Sequence, residues 1–251
     1  MSDLLLTRAQ YERFAEGIHL TVTLLGISVA FGLVIALVVG IARLSDRRWV
    51  RGLALAYVEF ARGISSVVLL FVFAFTLPIL LGIGQSNKLV LASIALGLNM
   101  GGYGAEIVRG AIQAIPKGQT EAAIALNLTN AHRLRLIVLP QAMRLILPPM
   151  GNLTIEILKG TALVSLVGMS DLADKAVRLR SLVRRGLTDE RAMPVVFLNT
   201  LLIYFILAQL INALFRLAEW YFERRFRSRK GTPLPAPGPE ALEPALGGGA
   251  P

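Results

Sequence analysis

Three stretches of this chain, residues 17–42, 63–87 and 192–215, contain no Asp, Glu, Lys or Arg. A helix needs about 20 apolar residues to cross a hydrocarbon core about 30 Å thick, and each stretch is longer than that. Inside lipid every backbone N–H and C=O must be satisfied within the structure, which leaves only helices and closed barrels. Barrels are written as short alternating segments, not as uninterrupted apolar runs. The three stretches therefore predict membrane helices. Charged residues make up 17% of the chain, below the roughly 25% of soluble domains.

Two further spans are less clean. Residues 89–105 are uncharged and can extend through Glu106 towards Ile112. Residues 145–155 and 160–170 are each too short to cross, but together they suffice, with Glu156 and Lys159 between them. The expectation is an all-α, polytopic membrane protein of about five transmembrane helices, occupying residues 1–230. The first apolar run is too long for the core of a cleaved signal peptide, and acids and bases mix ahead of it. That leading segment is expected to form a short amphipathic helix on the membrane surface. From Gly231 to Pro251 the chain is rich in Pro, Gly and Ala without apolar periodicity, which predicts a disordered tail.

Orientation follows the positive charges beside the spans. With the N-terminus outside, the inner loops and C-terminal end collect fifteen Lys and Arg, from Arg43 through Lys230, against nine outside. Six of those nine lie in the 171–194 loop, against the trend. The net charge of +10 thus sits largely at the ends of helices, facing anionic lipid headgroups, and does not form the basic face of a nucleic-acid-binding domain. There is no cysteine, so disulfide and thiol chemistry are excluded. Phosphate-binding glycine loops, His-Glu-x-x-His and Gly-x-Ser-x-Gly are all missing, and only His19 and His132 are histidines. The chain reads as a non-enzyme without a cofactor of its own. If ATP drives it, a partner binds the nucleotide.

The loop spanning 110–144 carries the most information. Thr120 is a plausible N-cap for a helix from Glu121 to Leu126, and Asn127 stands where a helix stops in a left-handed residue. Ala122, Ala123 and Ala125 make that helix slim enough for a groove on another protein. A second helix is expected from Asn130 to Leu139, with Pro140 marking the return to the membrane.

Glu121-Ala122-Ala123, then Asn127, Ile137 and Leu139-Pro140, resemble the EAA loop of ATP-binding-cassette importer permeases, with Asn127 where that family has Gly. Tyr57-Val58-Glu59-Phe60, Gly102-Tyr103, Ala105-Glu106 and Thr161 through Ser165 are similar to the polar amino-acid branch, and Gly104 through Ala111 resembles permeases for ectoine and hydroxyectoine. Ile64-Ser65-Ser66 departs from the usual Thr-Pro. The resemblance covers about residues 15–220. It implies a type I importer fold in the bacterial inner membrane, with the N-terminus outside and the C-terminus cytoplasmic. It also implies a dimer of ATPase subunits gripping Glu121, Ala122, Ala123 and Asn127, a second permease subunit, and an extracytoplasmic solute-binding protein.

Mid-span ionisable groups are expensive and tend to face a cavity or each other. Glu156 and Lys159, with Thr161 and Ser165, are candidates for the solute route, unless the i,i+3 pair simply neutralises itself. Asn99, Tyr103 and Glu106 share a face and are further candidates, or bond across to a neighbouring helix. Glu59 and Arg62 read as an interfacial ion pair. Two rivals remain: an ion-coupled secondary transporter, and a membrane scaffold subunit.

Overall fold

The computed structural model describes residues 8–82, 87–184 and 192–227, all built from helices and their connections. The proposed tail at 231–251 lies outside the described residues. Helix α1 (Arg8–Ala42) runs unbroken for 35 residues. The expected surface helix at its start is not separate. Phe14 is fully buried against Leu172, Ala176, Leu179 and Val196, and Lys175 Nζ sits 2.7 Å from Glu16 Oε2. These contacts hold the first turns upright in line with the span.

Helices α2 (Arg48–Gly63) and α3 (Ser66–Leu81) meet at a bend of 99°. Ile64 and Ser65 are extended there (φ −91, ψ 142 and φ −66, ψ 133), so two residues suffice to turn the chain. The span expected over 63–87 is thus shorter and starts at Ser66; α3 ends at Gly82, whose φ of 63 suits a residue without Cβ. α2 buries Ala54, Val58 and Ala61, spaced i, i+4, i+7 on one face.

Helix α4 (Lys88–Gln113) is the axis of the bundle, packed by α1, α2, α3 and the later helix α6 (Asn130–Val167). Among the described residues three helices, α1, α6 and α8 (Ala192–Arg227), contain stretches long and apolar enough to span a membrane, and the bent pair α2–α3 makes up to four. α4 has the length, at 26 residues, but its Gly-Asn-rich middle lowers its apolarity. Its neighbours shield it from lipid, which is why it can carry such a sequence. A Cβ at Gly102 would lie 2.5 Å from Ala61 Cβ, and one at Gly101 2.6 Å from Ile35 Cγ2. Glycine therefore lets α1 and α2 approach α4 backbone to backbone, the usual device for helix association in lipid.

The short helix α5 (Lys117–Ala125) leads into α6 (Asn130–Val167), a single helical run. The second loop helix does not stop at Leu139. It widens to a π-helical stretch at Leu134–Val138, passes Pro140, Pro148 and Pro149, and tightens to 3-10 geometry at Thr161–Val167. Proline removes a backbone donor and crowds the preceding turn, and a widened turn is one way a helix absorbs it. Helix α7 (Leu172–Arg184) packs on α1 and α8 (Ala192–Arg227). The main core lies where α1, α4 and α6 meet, around Leu24, Leu96, Met100 and Met150.

Candidate functional site

The loop site is built from two caps. α5 starts at Lys117, one turn before the expected Thr120 N-cap, because extended Pro116 (φ −54, ψ 133) already sets the helix entry. It ends as anticipated: Asn127 has φ 55, the only non-glycine with positive φ among the described residues. The Leu128 N–H donates to Ala123 O (3.1 Å) and the Asn127 N–H to Ile124 O (2.8 Å), the paired bonds of a Schellman cap. Thr129 then caps α6, its Oγ1 accepting the His132 N–H at 3.3 Å and contacting His132 Nδ1 at 2.8 Å. Gln141 Nε2 donates to Gln119 Oε1 (3.4 Å), tying α5 to α6.

The alanines divide. Ala123 is fully buried inside the chain, so its small volume lets α5 lie flat on its own bundle and is not presented to an external groove. Glu121, Ala122 and Ala125 face outward. So do Ile124 (54% exposed) and Leu126 (73%), two large apolar side chains at the tip of a polar loop. Neither stands out in the sequence, where an apolar residue flanking the Asn127 stop is the available signal.

The span residues separate into two groups. Asn99 is buried, donates from Nδ2 to Ala61 O (2.9 Å) and accepts from Ser66 Oγ (3.4 Å), stitching both sides of the α2–α3 bend. Tyr103 Oη donates to Arg62 O at 3.3 Å. These bonds serve carbonyls in the last turn of α2, where intrahelical donors run out. Arg62 lies over the Tyr103 ring at 5.6 Å, and the expected Glu59–Arg62 ion pair does not form. Glu106 sits between two guanidiniums, Arg43 Nη2 at 3.0 Å and Arg109 Nη2 at 2.7 Å, and so locks the end of α1 to α4. The polar atoms of all three candidates on α4 are thus engaged within the chain.

Thr161 and Ser165 turn their hydroxyls back onto the helix, donating to Leu158 O and Ala162 O, both at 2.7 Å. Glu156 and Lys159 are different. Both are exposed on α6 beside Asn152, they form no ion pair with each other, and neither has another side-chain partner among the described residues. The i,i+3 neutralisation is not made. Lys159 lines a cavity of about 510 Å³ between α6 and α8, together with Tyr204, Gln209 and Asn212. The amides of Gln209 and Asn212 are also without hydrogen bonds among the described residues, and nothing in the sequence sets them apart from other polar residues of an apolar helix.

Residues 28–228 match the family described as "Binding-protein-dependent transport system inner membrane component". The chain is 40% identical over 208 residues to a probable amino-acid ABC transporter permease protein, y4tF, of Sinorhizobium fredii, covering 81% of this chain and 84% of that one. It is 32% identical to the L-cystine transport system permease protein TcyB of Bacillus subtilis (83% and 84% covered). It is 34% identical to the glutamine transport system permease protein GlnP of Escherichia coli (78% and 90%). Among solved structures, an amino acid ABC transporter crystallised with histidines superposes with a TM-score of 0.72 at 29% identity, over 84% of this chain and 94% of that one. The MetNI methionine ABC transporter, at 21% identity and a TM-score of 0.70, shares the fold.

Proposed function

The chain belongs to the family of inner membrane components of binding-protein-dependent transport systems, and from that premise we propose that it forms the membrane pathway of an ATP-driven importer for a polar amino acid. One observation carries the pathway: an acid and a base, Glu156 and Lys159, stand unpaired and exposed in the middle of a span. Charge facing lipid is costly, so this face of α6 belongs against a water-filled route or a second permease subunit. An α-amino acid carries the complementary pair, its ammonium suited to Glu156 and its carboxylate to Lys159. Gln209 and Asn212 beside Lys159 offer further polar contacts. Thr161 and Ser165 shape the same helix one and two turns on. Asn99, Tyr103 and Glu106 position the route by holding the α2–α3 bend and the inner end of α4.

The power stroke enters through the 110–144 loop, read as the EAA element, with the ATPase contacting Glu121, Ala122, Ile124 and Leu126 while Asn127 fixes the turn. The N-terminus lies outside and a solute-binding protein delivers from that side. Relatives named for cystine and glutamine support an amino acid over ectoine or hydroxyectoine as the solute.

The test is reconstitution in liposomes with the cognate ATPase and binding protein, measuring uptake of labelled glutamine, cystine and ectoine. Amino-acid uptake should require ATP, and Glu156→Gln and Lys159→Met should each reduce it while the complex still assembles. Uptake driven by an ion gradient without the ATPase would select the secondary-transporter reading. Wild-type rates in both variants would remove the pathway assignment.

A further inference from the structure

On the loop side of the bundle, a second cavity of about 510 Å³ opens between the α1–α2 connection and the start of α6. Asp46, from the connection, and Arg133, from the first turn of α6, both line it. Neither side chain has a hydrogen-bond or ion-pair partner among the described residues. Thr120 and Asn130 add polar atoms from the loop, and Val50, Ile112 and Val138 supply apolar wall. A concave, largely apolar space of this size with a few convergent polar groups has the make-up of a small-molecule site.

The charges narrow the ligand. A simple anion at Arg133 would face the Asp46 carboxylate, and a simple cation at Asp46 would face the guanidinium. A zwitterion satisfies both at once. We infer that this cavity binds an α-amino acid with an aliphatic side chain, its carboxylate on Arg133, its ammonium on Asp46 and its side chain on the apolar wall. Guanidinium is suited to this because its fork matches a carboxylate in two parallel hydrogen bonds. The site is separate from the cavity at Lys159, which is lined by α6 and α8 within the membrane.

Such a ligand joins the α1–α2 connection to the loop that leads into α6, so binding restrains that loop relative to the bundle. Its effect on transport is inhibition from the loop side. That effect rests on the importer reading above; the binding does not.

The binding test uses the full chain in lipid nanodiscs with tritiated L-leucine as probe. Leucine should bind saturably, and isopentylamine and 4-methylpentanoate, each lacking one charge, should compete at least tenfold less well. Asp46→Asn and Arg133→Gln should each weaken leucine binding at least tenfold, whereas Lys159→Met should leave it unchanged. In liposomes carrying the complete importer, leucine on the ATP side should slow glutamine uptake. Asp46→Asn should abolish that inhibition without changing the rate measured in its absence. No saturable binding to a chain that supports ATP-driven uptake overturns the inference and leaves the importer reading standing. Leucine binding lost in Lys159→Met but kept in Asp46→Asn also overturns it, by placing leucine in the membrane cavity. Displacement of leucine by the docked ATPase does the same, by assigning the space to that contact. Saturable binding with the expected variants, but no ATP-driven uptake, upholds the site and fails the importer reading.

Discussion

Replacing Gly102 by alanine tests the packing on which the bend depends. The new Cβ would stand 2.5 Å from Ala61 Cβ, where ordinary carbon contacts are about 3.5–4.0 Å, so α2 and α4 must part by about 1–1.5 Å. Ala61 cannot rotate aside, because its Cβ is fixed to the backbone. Overpacking of this kind costs about 1–3 kcal/mol. The same parting stretches the 2.9 Å bond from Asn99 to Ala61 O, and a buried amide left unpaired costs about 1–3 kcal/mol more. Alanine's better helix propensity returns about 1 kcal/mol. The net loss is about 1–5 kcal/mol, read by denaturant titration of the purified chain in detergent micelles. Ala61→Gly removes the opposing methyl, so the double variant should be more stable than the two single losses predict, by about 0.5–3 kcal/mol. Strict additivity, or a Gly102→Ala chain as stable as its parent, would refute the close approach of α2 and α4.

Asn127→Val forces a β-branched residue into the left-handed region at a cost of about 1–2 kcal/mol and should weaken capture of the ATPase in pull-downs, whereas Asn127→Gly should not. Leu126→Asp should leave the chain's own stability unchanged, because that side chain is 73% exposed, but reduce ATPase affinity about tenfold or more. Asp171 is fully buried and its Oδ1 accepts the Asp174 N–H at 2.9 Å as the cap of α7; burial pushes its carboxyl above the ordinary 3.8. The native state then holds the proton more tightly than the unfolded chain, so this group's contribution to stability falls as pH rises from 3.8 through the raised native value. Asp171→Asn keeps the cap, should remove that pH dependence, and should not destabilise the chain at neutral pH; thermal melts across pH check it. Single cysteines at Ser45 and Thr129 should resist an impermeant thiol reagent on intact cells, and labelling of Thr129→Cys from outside would reverse the orientation.

The long helices were legible because lipid leaves a chain little choice: an uncharged run such as 17–42 can only be helical. Direction was not legible. The uncharged 63–87 run begins at the bend and nothing in it announces a turn, because the turn depends on Asn99 and Tyr103 capping α2 carbonyls from another helix. Asn127 announced its conformation because few residue types tolerate positive φ, but Ala123 gave no sign of facing inward, since alanine is equally at home on either side. Arg109 is an obvious partner for Glu106 at i,i+3; Arg43 is not, because only the fold brings α1 beside α4 at that level. The unpaired state of Glu156 and Lys159 was likewise invisible, as spacing permits a bond that the side chains do not make.

The unbroken run of α6 has a mechanical consequence. At about 1.5 Å per residue, Asn130 and Glu156 lie roughly 39 Å apart along one rod. A tilt of about 5° at the loop end carries the far end sideways by about 3.4 Å over that length. The rod is not uniformly stiff, for the π stretch at Leu134–Val138 and the pair Pro148–Pro149 interrupt its regular bonding. On the importer reading proposed above, the rod would act as a lever with two compliant joints below Glu156, and torque applied at its base would be partly stored as bending before Glu156 moves. Stiffening either joint would then change how much of each stroke reaches Glu156.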